Sequence, residues 1–217
     1  VFSQSRFYQW WQLRLASLLA LIAAIAAANE SALAQIVPDK TLETNSVVIP
    51  SPNFDLIDGG TRRGANLFHS FEQFNVKEGG RASFSNPSGI KNIISRVTGG
   101  NRSEIFGTLG VLGTANLFLI NPNGIIFGPN AQLTIGGSFL ATTANAIGFG
   151  EQGLFSASVP NSPALLTVNP SALLFNQIAR PITNQSTRAT RGLQLSGNQK
   201  SLLLVGGGAT RKSEIGV

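Results

Sequence analysis

The chain has no cysteine, so no disulfide braces it and no thiolate serves it as nucleophile or metal ligand. It has no methionine either, position 1 included, which reads as an alternative start codon or as a fragment. Charge is scarce. Asp, Glu, Lys and Arg make up 12% of the 217 residues, about half of the usual ~25%. Residues 105–150 carry no charge at all. The net charge of +6 is spread thinly. There is no run of Lys and Arg and no basic patch interleaved with aromatics, which argues against a nucleic-acid surface. Phosphate-binding loops, dinucleotide fingerprints, zinc-ligand spacings and nucleophile elbows are all missing.

What is present is glycine, at 24 residues, and phenylalanine, at 14. Low charge, many glycines and many aromatics in short apolar runs describe an all-β chain rich in turns, not a disordered one. The length suffices for one domain with a sizeable core. Candidate strands cover residues 46–49, ended by Pro50, then 54–57, 81–85, 90–97, 117–120, 125–127 and 201–205. Phe68, Phe71 and Phe74 recur every three residues, as on a helical face or in a loop packing its rings inward. Loops are expected around 165–168 and 173–175, and a polar excursion over 178–197. In the uncharged stretch Asn, Thr, Ser and Gly fill the positions between apolar residues. That composition suits stacked turns with ladders of Asn, Thr and Ser facing outward.

At the N-terminus Arg6 and Arg14 precede an uncharged run over residues 15–28. The run is shorter than the roughly 20 residues that span a bilayer. It is followed by Ala32-Leu33-Ala34. A basic region, an apolar region and a small-x-small site, in that order, form a secretory signal. Cleavage is expected after Ala34, with Gln35 as the mature N-terminus.

Catalytic candidates are few. His69 is the single histidine, and Glu72 is the nearest acid by sequence. Nothing else converges on His69, so it reads as a structural or surface residue. Asp55, Asp58, Arg62 and Arg63 form one mixed cluster beside Gly59-Gly60. Such a cluster on one face would serve a polysaccharide-acting lyase or hydrolase, the alternative function. Its place beside a glycine turn favours a polar surface turn.

The most informative stretch is Asn121-Pro122-Asn123-Gly124, flanked by apolar runs at 117–120 and 125–127. Each residue suits one place in a type I turn. Asn121 accepts from the turn backbone, Pro122 presets φ, Asn123 tolerates the third place and Gly124 suits the fourth. The corner returns in degraded form at Asn86-Pro87-Ser88-Gly89, Asn169-Pro170-Ser171-Ala172 and Gly128-Pro129-Asn130-Ala131. Recurring corners between short strands fit a β-solenoid and a β-sandwich alike.

Asn121, Pro122, Asn123, Gly124 and Ile125 match at every position the Asn-Pro-Asn-Gly-Ile hallmark of the filamentous-haemagglutinin-like secretion domains of two-partner secretion. The setting resembles that family too. Ile94-Ser95-Arg96-Val97-Thr98-Gly99-Gly100 lies upstream and Gly136-Gly137-Ser138-Phe139-Leu140-Ala141-Thr142-Thr143 downstream. The family's second motif, Asn-Pro-Asn-Leu, is absent. The resemblance implies a right-handed parallel β-helix with an N-terminal cap and short extra-helical strands. It divides the chain into a signal (1–34), a secretion domain (35–205) and a tail (206–217).

The implied function is non-enzymatic: a secretion-targeting domain of an exported adhesin, with no cofactor and no metal. The implied partners are the general secretory machinery, an outer-membrane β-barrel transporter with periplasmic transport-associated domains, and a surface glycan or cell ligand. The implied location is extracellular or the cell surface, by way of the periplasm. Absence of cysteine suits a chain kept unfolded in the periplasm, and non-local strand pairing slows its folding. The tail has no apolar periodicity, so it is expected to mark a truncation, with fraying or self-association at that end.

Overall fold

A computed structural model describes residues 36–187, 193–195 and 200–211. The chain divides into two units, Val1–Ala34 and Gln35–Val217, and the described residues all lie in the second. The secretory signal expected over 1–34 falls outside them.

The described residues contain strands and no helix. The first five strands are β1 (Ile36–Pro38), β2 (Ser46–Ser51), β3 (Phe54–Gly59), β4 (Thr61–Arg63) and β5 (Asn66–Phe74). The chain then winds through β6 (Arg81–Ser85), β7 (Asn92–Val97) and β8 (Ser103–Ile105), and again through β9 (Thr108–Leu112), β10 (Asn116–Ile120) and β11 (Ile125–Phe127). After β12 (Gln132–Thr134) and β13 (Phe139–Thr142) it leaves on an excursion with β14 (Ala146–Gly148), β15 (Leu154–Ser156) and β16 (Ala172–Leu174). It returns with β17 (Ile182–Asn184), β18 (Leu202–Val205) and β19 (Ala209–Arg211).

Three parallel ladders result: β3-β6-β9-β12, β5-β7-β10-β13-β18 and β8-β11-β17-β19. Successive circuits stack strand on strand in these ladders, so the expected parallel β-helix is the fold. The open edges at the start of the stack are covered. β2 pairs antiparallel with β3, and β1 and β4 pair antiparallel with β5. Antiparallel closure of this kind stops a free edge from recruiting another chain.

Strand alternation sorts the side chains. Leu67, Ile93, Leu117, Phe139 and Leu202 stand one above the next in register and point into the solenoid. Their neighbours Phe68, Ile94, Phe118, Leu140 and Leu203 stand on the outer face of the same sheet. That outer column would be exposed in a bare solenoid. The excursion covers its first part: Phe149, Phe155, Ile147 and Leu166 form a second core with Phe68, Ile94 and Ile120. The Phe68 ring lies 4.8 Å from that of Phe155 and 5.5 Å from that of Phe149. Each such side chain, fully buried, contributes about 1.5–3 kcal/mol. The two cores explain the uncharged stretch at 105–150, since its strands are covered by circuits on both sides and partly by the excursion.

Several local readings change. The Phe-rich run is neither helix nor loop but the long strand β5. Phe68 faces the outer core, while Phe71 and Phe74 face the inner one. Their spacing of three comes from a bulge: Val37 and Pro38 on β1 pair with Gln73 and Phe71, so Glu72 is passed over and the alternation resets. Pro50 does not end β2, which runs on to Ser51 as an edge strand of its sheet, where proline is tolerated. The asparagine ladder is present on the outer side of the sheet, where the excursion buries Asn66 and Asn92 and leaves Asn116 half-buried. Asn92 donates to Asn66 at 2.9 Å and Asn116 to Asn92 at 3.0 Å. Asn66 donates to the Leu166 and Val168 carbonyls of the excursion, which lies over it. Part of the loop expected at 173–175 is strand β16, and Ile182–Asn184 within the expected polar excursion is a solenoid strand. The tail is not wholly irregular, because Ala209–Arg211 pairs with β17.

Candidate functional site

The degraded corners mark different edges of the prism. Asn86 stands between β6 and β7, the Asn121 tetrad between β10 and β11, and Gly128 between β11 and β12. The copy at Asn169 lies in the excursion and turns no solenoid corner. The edge after β10 is therefore where the hallmark tetrad has one particular set of neighbours.

Asn121 is fully buried and uses every polar atom it has. Its Oδ1 accepts from the Asn123 N–H at 2.9 Å, and the Gly124 N–H closes the turn on the Asn121 carbonyl at 3.1 Å. The expected tight turn is thus formed. The rest reaches beyond it. Asn121 Nδ2 donates to the Asn101 carbonyl and to Ser103 Oγ, both at 3.0 Å, in the preceding circuit. Its own N–H donates to the Thr142 carbonyl at 3.0 Å in the following one. Gly124 has φ +113, which disfavours any L side chain there. Pro122 and Gly124 are buried, whereas Asn123 is exposed. Asn123 Nδ2 donates to the Gly99 carbonyl at 2.8 Å. Ile125 points into the core.

Both asparagine side chains therefore land on one receiving loop, residues 98–101. Gly99 has no room for a Cβ, which would collide with the Glu72 carbonyl oxygen. This packing holds the loop close to the end of β5.

Beside that loop lies a cluster that sequence reasoning missed. Arg96, on β7, is fully buried. Nε donates to Ser70 Oγ at 2.9 Å, Nη1 to the Ser156 carbonyl at 2.7 Å, and Nη2 to Thr41 Oγ1 at 2.9 Å and the Asn161 carbonyl at 2.8 Å. Its guanidinium carbon sits 4.2 Å above the Phe155 ring. Burial draws Arg96 down to about 10, against the pull of Asp39, so it stays charged at neutral pH. Asp39 accepts from Thr41 Oγ1 at 2.6 Å, Ser70 Oγ at 2.7 Å and Thr98 Oγ1 at 2.6 Å. Burial raises the Asp39 carboxyl, but the hydrogen bonds from Thr41, Thr98 and Ser70 outweigh it and leave it below its ordinary value. One signal for this cluster was available: a lone arginine inside the apolar run Ile93-Ile94-Ser95-Arg96-Val97.

The other candidates do not converge. His69 is structural: it is fully buried inside the solenoid, with Nδ1 3.0 Å from Ser46 Oγ. Arg63 pairs with Glu43 at 2.6 Å, and its Nε donates to the Ala164 carbonyl at 2.9 Å. Arg62 Nε donates to the Gly64 carbonyl at 3.1 Å. Among the described residues no ion pair joins Asp55 or Asp58 to Arg62 or Arg63.

Known proteins share this fold. The crystal structure of the HMW1 secretion domain from Haemophilus influenzae matches with a TM-score of 0.56 at 20% identity, covering 83% of this chain and 41% of that one. The filamentous hemagglutinin secretion domain matches at a TM-score of 0.49 and 18% identity, over 78% of this chain and 56% of that one. Among curated proteins, a heme/hemopexin-binding protein of Haemophilus influenzae is 39% identical over 77 residues, which is 35% of this chain and 8% of that protein. The chain thus spans a small part of that relative's length. The family model of the TPS secretion domain matches residues 34–215, and the chain, with its solenoid fold and its Asn-Pro-Asn-Gly corner, belongs to that family.

Proposed function

We propose that the corner formed by Asn121, Pro122, Asn123, Gly124 and Ile125 is the element of this secretion domain that its transporter reads. Membership in the family implies export across the outer membrane through a dedicated transporter. The finer reading is ours. A leader over residues 1–34 delivers the chain to the general secretory machinery and is removed after Ala34. Periplasmic transport-associated domains of the outer-membrane barrel then engage the corner. The solenoid nucleates outside the cell, where the exported protein serves adhesion towards a surface glycan or cell ligand and catalyses nothing.

One observation carries the assignment to the corner: the tetrad divides its labour. Asn121 is buried and spent on the fold, whereas Asn123 is exposed, with a single side-chain hydrogen bond to Gly99. A turn needs the first asparagine; a partner can reach the second.

The division makes the test clean. Asn121→Ala removes three side-chain hydrogen bonds from a buried site and should cost about 2–3 kcal/mol of stability. Asn123→Ala removes one exposed bond and should cost under about 1 kcal/mol. Export of the Asn123→Ala chain should nevertheless fall about tenfold, the loss of ~1.4 kcal/mol of recognition. Secreted and retained protein would be measured by immunoblot, and stability by urea unfolding of the refolded chain. Wild-type export of Asn123→Ala would reduce the corner to a structural turn.

A further inference from the structure

The loop that receives the corner's asparagines starts at Thr98, and Thr98 is held from the other side. Its N–H donates to the Phe71 carbonyl at 2.8 Å. Its hydroxyl lies 3.1 Å from that same carbonyl and 2.6 Å from Asp39 Oδ2. A hydroxyl has one proton, and the shorter contact to the charged acceptor takes it.

The proton directions behind Asp39 are set in the same way. An arginine only donates and an ionised carboxylate only accepts. Thr41 Oγ1 and Ser70 Oγ each lie between the two, accepting from Arg96 and contacting Asp39 at 2.6 Å and 2.7 Å. Both hydroxyl protons therefore point at Asp39. Thr41 and Ser70, 3.0 Å apart, have no proton left for each other. Arg96 and Asp39 are thus joined by two oriented hydroxyls without an ion pair between them.

We propose that Asp39 and Arg96, through this relay and Thr98, position the receiving loop at residues 98–101, so that the N-terminal segment and the secretion corner close as one unit. Asp39, Thr98 and Arg96 are then positioning residues for the corner. The path is short and continuous: Asp39 holds Thr98, and the next residue, Gly99, presents the carbonyl that receives Asn123. Two residues further on, Asn101 presents the carbonyl that receives Asn121. Asp39 and Thr41 lie between β1 and β2, outside the solenoid circuits. The corner therefore reaches its final geometry only once that segment has docked. The consequence for export rests on the reading of the corner given above; the structural coupling does not.

Thr98→Val tests it with the least disturbance, since valine keeps the shape and the backbone bond to Phe71 and removes only the hydroxyl. Amide exchange would be followed by NMR in the purified full chain, native and variant. The Asn123 and Gly124 amides should exchange about tenfold faster, the scale of one lost hydrogen bond, while amides of β9 and β12 keep their rates. Asp39→Asn should produce the same selective pattern; should that variant fail to fold, Thr98→Val decides alone. Unchanged rates at Asn123 and Gly124, or a uniform acceleration that includes β9 and β12, would overturn the coupling. The two proposals fail separately. Normal export of Asn123→Ala with a loosened corner in Thr98→Val leaves the coupling standing without the recognition role. Defective export of Asn123→Ala with unchanged exchange in Thr98→Val does the reverse.

Discussion

Arg96→Ala should cost about 3–5 kcal/mol, the usual consequence of removing one member of a buried, hydrogen-bonded charge network. That is a large share of the 5–15 kcal/mol that holds a typical domain folded. The loss has separate sources. Asp39 keeps its hydroxyl donors but faces no cation. The Ser156 and Asn161 carbonyls lose the donors that tie the excursion down. Phe155 loses the guanidinium above its ring. Arg96→Lys should recover less than half of the deficit. One ammonium cannot reproduce a planar fork that donates in four directions. Urea midpoints of the three chains would measure this. A loss below about 1 kcal/mol in Arg96→Ala would show the cluster to be incidental to stability.

The second large effect is a dependence on pH that one residue controls. Ser46 Oγ accepts the Ser70 N–H at 3.1 Å and shares a second hydrogen bond with His69 Nδ1 at 3.0 Å. Complete burial keeps the imidazole neutral at neutral pH. Among the described residues neither Nε2 nor its cross-strand neighbour Ser95 Oγ has a hydrogen-bond partner. The rings of Phe84 and Phe71 lie 5.1 Å and 6.2 Å away. Burial pushes the His69 pKa down to about 3, with Asp58 pulling the other way.

The folded value lies below the ordinary value of 6.5. The unfolded chain therefore binds the proton first as pH falls. Stability is full above pH ~6.5 and drains away towards pH ~3, at about 1.4 kcal/mol per unit. From pH 7 to pH 5 the loss should be about 2 kcal/mol. His69 is the only histidine of the chain, so no second imidazole contributes between pH 7 and pH 5. His69→Gln should flatten the slope. Urea unfolding of both chains at pH 7, 6 and 5 reads it directly, and parallel slopes would refute the assignment. Such a slope would loosen β2, which carries Ser46, in acidic surroundings.

The corner was legible in the sequence because its bonds are local. The Asn121 carbonyl to the Gly124 N–H, and the Asn121 side chain to the Asn123 N–H, lie within four consecutive residues. Composition and turn chemistry announce such contacts. The inner strands were legible for a similar reason, since runs such as 117–120 and 125–127 are apolar wherever they end up. Ladders of Asn, Thr and Ser were expected from composition, but not the burial of Asn66 and Asn92, which depends on the excursion passing over them.

Arg96 was not legible as the centre of anything. Its partners lie 26, 55, 60 and 65 residues away, and two of them are backbone carbonyls, which any residue supplies. The burial of His69 likewise depends on β2 and β3 closing over it, and Ser46 is 23 residues upstream. The sequence by itself determined the all-β class, the corner and the absence of thiol chemistry, because these follow from composition and from contacts within a few residues, while the choice of a solenoid over a sandwich came from the family resemblance. Tertiary structure alone decided which charges are buried, which hydroxyls connect them and which asparagine of the corner remains exposed. Those depend on strands from separate circuits meeting in register, and that register arises only when the circuits stack.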